Sequence, residues 1–255
     1  MQTDFDLLIG DFNRAIARRD DPERIDLLLT AASKVSLFQD AMLADLDMTK
    51  QLVQTTSAIR DATGAGRIIV EEELMKHLVA IARQCAVALE GAGIETLPGL
   101  DAGWQAPPTA QPAFATLQVL SYYALDCLLF RRAPDSAGGR RRALAFEILA
   151  HAGRLINLPE ALVLARKSLR KVNSREAVGA LQFLNDYFVS REAAPDEQIV
   201  DGLLALSQAT LSRSTAHCAL CVLVATHGIS QSVAEDYMAE WREKHSPWYR
   251  GAGEQ

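Results

Sequence analysis

The sequence lacks the local motifs that carry the common enzyme chemistries. It has no glycine-rich loop that could cradle a phosphate, no serine nucleophile elbow, no His-Glu-x-x-His helix and no dinucleotide-binding fingerprint. No nucleophile and base can be paired from the sequence either. It therefore favours a non-enzymatic protein and predicts no cofactor, while an enzyme on this frame stays open because a fold does not fix a function.

Long hydrophobic runs are also absent, and cysteine is scarce. The longest uninterrupted apolar stretch, 219–225, is far shorter than the roughly 20 residues that cross a bilayer. The N-terminus carries acids where a secretory signal has a basic segment, so we expect neither a membrane span nor a signal. The four cysteines, in mostly apolar helical surroundings, predict reduced core thiols and a cytoplasmic location: Cys85, Cys127, Cys218 and Cys221.

The apolar residues that are present recur with the 3.6-residue period of α-helices. They form 49% of the chain, and charged residues form 23%, which is ordinary for a globular protein. The first helix shows one stripe at Phe5, Leu8, Ile9, Phe12 and Ile16, and a later helix carries one from Leu74 to Leu89. The helix predicted at 174–190 carries two stripes: Ala177/Leu181/Leu184/Phe188 and Ala180/Phe183/Tyr187. The predicted fold class is all-α, with an N-terminal helical hairpin or bundle followed by an α-solenoid-like stack of antiparallel helix pairs.

Breaks in the pattern divide the chain into three predicted segments. Residues 1–92 form an acidic helical hairpin or bundle, in which Asp21 and Pro22 predict the start of a second helix and a long third helix runs from Ser36 to Gly64. Residues 93–112 are a linker rich in glycine and proline, and its Trp104 is expected to pack on the array or to serve as a docking aromatic. Residues 113–255 form a helical array that ends in an amphipathic capping helix.

Within the array, short gaps separate the predicted helices. Pro159 and Pro195 are placed at helix starts, and Ser174, Ser212 and Ser230 are expected N-caps. Alternate helices start 34 and then 39 residues apart, which is within the period of helical-hairpin repeats. The predicted helices span 113–132, 140–156, 159–172, 174–190, 196–211, 213–227 and 230–245.

One segment of the array carries a family resemblance. Residues 173–181 (Asn-Ser-Arg-Glu-Ala-Val-Gly-Ala-Leu) resemble the start of the second helix in HEAT and armadillo repeats, where an arginine precedes small and aliphatic residues. Residues 142–149 are similar to a lesser degree. The resemblance covers at most 113–245, and the usual Asp-Val before Arg175 is missing. It implies a concave, helix-lined binding surface and specifies no ligand.

A basic block at 131–175 is the strongest functional signal. It has a net charge of +8, whereas the rest of the chain sums to −14. Cations near the end of the predicted helix 159–172 favour its dipole, so helix stability explains them. Arg140, Arg141 and Arg142 fall in the first turn of a predicted helix, where cations oppose the dipole and stability does not explain them. The predicted binding patch is Arg140, Arg141, Arg142, Arg166, Lys167, Arg170, Lys171 and Arg175.

Three interpretations of the basic block stay open. The first is that the block is a solvated face. The second is that it docks an acidic protein or the chain's own acidic residues 1–111. The third is that it binds nucleic acid or another anionic ligand. A sequence pI near 5.4 does not favour nucleic acid. The predicted function is a non-enzymatic interaction module or scaffold that binds a partner protein on the array, with nucleic-acid or anionic-ligand binding through 131–175 as the alternative.

The only soft metal ligands that lie close together in the sequence are His217, Cys218 and Cys221. Closed structural zinc sites need four ligands and usually place a Cys-x-x-Cys pair on a turn, whereas this pair falls inside a predicted helix. We therefore predict no metal site, and these three residues are weak candidates only.

Overall fold

The structure is a computed structural model of the chain. It describes residues 2–18, 24–61, 67–94, 96–97, 99–100, 106–129 and 135–245. These residues are overwhelmingly helical, and the sole β-type pairing among them is one isolated bridge, so the predicted all-α class is confirmed. Within the described ranges, none of the helices combines the length and apolar character that a bilayer crossing requires.

Most of the helices are joined by short segments, the long exception being 92–110 between α5 and α6, and a 3-10 turn, Val35–Phe38, precedes α3. Their bounds are α1 Gln2–Ala17, α2 Arg24–Lys34, α3 Gln39–Met42, α4 Leu46–Asp61, α5 Arg67–Gly91, α6 Gln111–Leu129, α7 Asp135–Gly153, α8 Pro159–Leu169, α9 Arg175–Ser190, α10 Glu197–Ala209, α11 Arg213–Ala225 and α12 Gln231–His245.

Helices pack against their neighbours in sequence and against alternate helices. Consecutive pairs are α1 with α2, α4 with α5, α6 with α7, α8 with α9, and α10 with α11. Helices α4, α6, α8, α10 and α12 contact one another in succession, as do α5, α7, α9 and α11. Helices α4 to α12 therefore alternate between two rows, and the buried apolar residues from Phe5 to Met238 form one hydrophobic cluster.

The apolar stripes read from the sequence face this core. Phe5, Leu8 and Phe12 are buried on α1, and α5 buries the whole predicted stripe from Leu74 to Leu89. Helix α9 buries both of its predicted stripes, because α7 and α8 pack on it from different sides.

The expected N-caps of the array are confirmed. The Ser174 hydroxyl accepts a hydrogen bond from the backbone N–H of Ala177, and Ser212 and Ser230 accept from the N–H groups three residues ahead at 3.3 Å. Each cap satisfies a backbone donor that the helix itself leaves open. Pro159 occupies the first turn of α8 as predicted, whereas α10 is capped by Asp196, one residue after Pro195.

The long third helix predicted from Ser36 to Gly64 is wrong. The chain turns at 43–45, and α4 starts anew because Asp45 accepts hydrogen bonds from the N–H groups of Asp47 and Met48 at 3.0 and 3.2 Å. A carboxylate placed to cap a helix competes with continuation of the preceding one. The second-helix start at Asp21 and Pro22 and the stop at Gly64 lie outside the described residues.

The predicted start of α7 at residue 140 is also wrong. The helix begins at Asp135 and runs through Gly138 and Gly139. At Gly138 an added Cβ would come within 3.0 Å of the Arg142 guanidinium, so the glycine leaves room for that side chain. Arg140, Arg141 and Arg142 therefore lie beyond the first turn, where the dipole no longer opposes a cation.

The described parts of the predicted linker 93–112 are tied to the end of α7. The Leu97 N–H donates to the Leu155 carbonyl at 2.6 Å, and the Asn157 N–H donates to the Leu97 carbonyl at 3.0 Å. Leu97, Leu100 and Ala110 are buried. The predicted docking residue Trp104 lies outside the described residues.

Candidate functional site

The cations of the basic block separate into two sets. Arg131 and Arg132 lie outside the described residues. The paired set forms ion pairs with glutamates, and its members are Arg140, Arg141, Arg142, Arg154 and Lys171. The free set forms no ion pair with any residue that the structure describes, and its members are Arg166, Lys167, Arg170 and Arg175.

Arg141 of α7 and Glu71 of α5 form a buried, two-point ion pair. Arg141 Nε donates to Glu71 Oε1, and Nη2 donates to Oε2 at 2.7 Å. Only 4% of each side chain is exposed. Next to it, the exposed Arg140 contacts Glu72 at 3.2 Å. The parallel donors of a guanidinium match a carboxylate, so the pair fixes the position of α7 on α5. Two of the three adjacent arginines thus contact the acidic N-terminal region.

Arg142 binds a second buried glutamate, Glu176 at the start of α9. Its Nε donates to Glu176 Oε2 at 2.5 Å. The other Glu176 oxygen accepts from the Ser168 hydroxyl at 2.7 Å, and Lys171 Nζ lies 3.0 Å from both oxygens. Arg141 and Arg142, which the sequence placed in a binding patch, therefore lie in the interior, where no external partner reaches them.

Glu176 is held ionised by its neighbours. Burial raises the pKa of a carboxyl group, but the hydrogen bonds from Ser168, Lys171 and Arg142 outweigh it and lower the pKa of Glu176 below its ordinary value. A carboxylate with a lowered pKa in the folded state stabilises the protein above its unfolded pKa, and the stabilisation is lost as the pH falls through the folded value.

We expect Glu176→Gln to be less stable than the wild type at pH 7, with a gap that narrows as the pH falls below about 4.3, the ordinary glutamate pKa. Acid protonates Glu176 in the wild type and so removes the same charge that the substitution removes. Urea unfolding curves at pH 7 and at successively lower pH measure the gap. The exposed Glu240→Gln serves as the control and should show no such trend; a constant gap for Glu176→Gln would contradict the assignment.

Arg166 and Lys167 lie on α8, Arg170 directly follows it, and Arg175 begins α9. Arg166 and Arg170 line a groove between α8 and α10 with a volume of about 600 Å³. The Arg166 guanidinium donates to Gln198 Oε1 across the groove, and Asp201 is the one acidic residue among the described residues that line it. Lys167, Arg170 and Arg175 are exposed. The floor is apolar and includes Leu169, Val172 and Leu206. The site is thus a basic groove above an apolar floor.

The weak metal candidates are not brought together as a three-ligand set. His217 Nε2 lies 3.5 Å from Cys221 Sγ, one helical turn away on α11, and both line a groove that Cys218 does not line. No group of three or more metal-binding side chains occurs among the described residues. Cys85 and Cys127 are buried as expected, but Cys218 and Cys221 are exposed, so their predicted burial in the core is wrong.

The fold defines an all-α protein whose candidate site is a basic groove between two helices of one row. Comparison of the chain with protein-family models, with curated proteins and with solved structures finds no match.

Proposed function

We propose that this chain is a non-enzymatic interaction protein that binds an acidic segment of a partner protein in the groove between α8 and α10. The observation that carries the proposal is the free set of cations. The chain has 32 acids against 26 Lys and Arg, yet Arg166 and Arg170, which line the groove, and the exposed Lys167 and Arg175 form no ion pair with any described acid. Carboxylates from a second molecule would supply the ion-pair partners that these cations lack among the described residues.

The shape of the groove supports a peptide-like occupant with both acidic and apolar residues. Its rim supplies guanidinium groups from Arg166 and Arg170, and its floor supplies Leu169, Val172 and Leu206. Exposed ion pairs contribute only about 0.2–1 kcal/mol each, so several must act together and the affinity must fall with salt. The two-row packing of helices supports this use of the surface, since HEAT-like arrays, which the sequence resembles, imply a helix-lined binding face.

The substitution Arg166→Gln/Lys167→Gln/Arg170→Gln tests the proposal. We expect it to weaken binding of a fluorescent twelve-residue peptide, four repeats of Glu-Glu-Leu, by about tenfold at low salt, equivalent to about 1.4 kcal/mol. Fluorescence anisotropy measures the affinity. The matched control is Lys34→Gln/Lys50→Gln/Lys76→Gln, which removes the same charge from exposed positions on α2, α4 and α5 and should leave the affinity unchanged.

Three outcomes overturn the proposal. The first is that the peptide fails to bind the wild type at low salt. The second is that both triple variants lose the same affinity, which would show that net charge alone controls binding. The third is that a DNA duplex of similar charge binds more tightly than the peptide and loses affinity only in the α8 variant, with a steep dependence on salt; this result selects the nucleic-acid alternative.

A further inference from the structure

A second groove, between α11 and α12, contains a thiol and an imidazole. Its volume is about 920 Å³, within the range of about 300–1,000 Å³ of small-molecule sites. Apolar side chains, including Leu220, Val224 and Met238, form much of its lining. His217 and Cys221 line it from α11, four residues apart and therefore on the same face of the helix.

The two polar groups are placed for proton transfer. His217 Nε2 lies 3.5 Å from Cys221 Sγ, and both side chains are exposed, so a reagent in the groove reaches the sulfur. The thiolate is the nucleophilic form of cysteine, and a neighbouring imidazole can accept the thiol proton. The pair therefore has the two groups that an exchanging thiol needs.

The other charges on the groove favour an anionic reagent. Arg213 from α11 and Arg242 from α12 line it, and Glu235 is the one acid among the lining residues that the structure describes. The Glu235 carboxylate accepts a hydrogen bond from Gln231 at 3.0 Å. Two guanidinium groups against one carboxylate leave the groove positive, although the chain as a whole carries −6.

The remaining thiols lack this combination. Burial raises the pKa of Cys85 to about 12 and that of Cys127 to about 11, and neither side chain is accessible. Cys218 lies on the same helix and is exposed as a residue, but it does not line the groove. Its thiol group is partly buried, which raises the pKa of Cys218. Cys218 therefore provides an internal comparison, three residues from Cys221.

We propose that Cys221 is a thiol–disulfide exchange site for small disulfides that carry carboxylate groups. The Cys221 thiol gives its proton to His217 Nε2, and Sγ forms a bond to one sulfur of the disulfide. The original S–S bond breaks, and the second sulfur leaves with the electron pair as a thiolate, which takes a proton from the imidazolium. Cys221 is oxidised to a mixed disulfide, and half of the reagent is reduced to a thiol.

The test exposes the full chain to glutathione disulfide, which carries four carboxylates, and follows the adduct at each cysteine by peptide mass spectrometry. We expect Cys221 to react at least about tenfold faster than Cys218 at pH 7. Cys218→Ser should retain the fast reaction, and Cys221→Ser should lose it. Equal rates at the two exposed thiols would overturn the proposal.

Two further variants separate the parts of the proposal. His217→Ala should slow the reaction at Cys221 by about fivefold at pH 7, and the difference between the two rates should shrink in alkaline solution, where hydroxide can remove the thiol proton in place of the imidazole. An equal slowing at every pH would show that His217 acts only on structure. Arg213→Gln/Arg242→Gln should remove a preference for glutathione disulfide over the cationic cystamine; absence of that preference in the wild type would overturn the carboxylate selectivity.

Discussion

Replacing Glu71 by alanine is expected to lower the free energy of unfolding by about 3–5 kcal/mol, because it leaves the buried Arg141 guanidinium without its carboxylate. Only 4% of the Arg141 side chain is exposed, so water replaces little of the lost interaction. In a chain of this length the loss corresponds to a fall in Tm of roughly 10 °C. Chemical denaturation followed by circular dichroism measures it.

The neighbouring pair supplies the control for this prediction. Glu72→Ala removes the adjacent carboxylate, whose partner Arg140 is exposed, and should cost no more than about 0.5 kcal/mol. The double replacement Glu71→Met/Arg141→Met should recover most of the loss, because a buried ion pair exchanged for apolar side chains of similar size often leaves stability unchanged. Equal effects of Glu71→Ala and Glu72→Ala would show that burial of the first pair is not what matters.

Gly179→Ala is expected to destabilise the protein by roughly 2 kcal/mol or more, although alanine is the better helix former. An added Cβ at this position of α9 would lie 2.7 Å from Ala143 Cα and 2.9 Å from Ala143 O on α7. Both atoms belong to the backbone of a helix, so relief requires α7 and α9 to move apart. Thermal and denaturant unfolding of the variant measure the loss.

Gly139→Ala is the matched substitution, because Gly139 also lies inside a helix but no heavy atom stands within 4 Å of the Cβ that alanine would add. Helix propensity then acts alone, and we expect a gain of about 0.5–1 kcal/mol. If the two Gly→Ala substitutions change the stability in opposite directions, the loss at Gly179 is due to the close approach of α7 and α9. A gain at both positions would contradict that close approach.

Features that depend on local chemistry were predicted from the sequence. The stripes of α1, α5 and α9 follow from the spacing of apolar residues, and Ser174 and Ser212 cap their helices because a hydroxyl before a helix meets a free backbone N–H. The two errors in helix boundaries have local causes as well. Asp45 starts α4 inside a continuous apolar pattern, and the glycines before Arg140 are tolerated within α7.

The roles of the basic residues could not be predicted in the same way. The sequence singled out Arg140, Arg141 and Arg142 because nothing local explained them, and their partners Glu71 and Glu176 are 70 and 34 residues distant. Arg166, Lys167 and Arg170 had a sufficient local explanation in the helix dipole, yet they lack an acidic partner among the described residues. A charge pattern reports an excess of cations but does not show which of them folding neutralises.

The all-α class, most helix positions, the faces that enter the core and the existence of a basic block follow from local sequence, since each depends on residues within a few turns of one another. Which cations are buried and which remain on the surface depends on the fold, and so does the open groove that contains Cys221 and His217. Those outcomes depend on which helices of the two rows pack together, and side-chain contacts across them join residues that no local pattern relates.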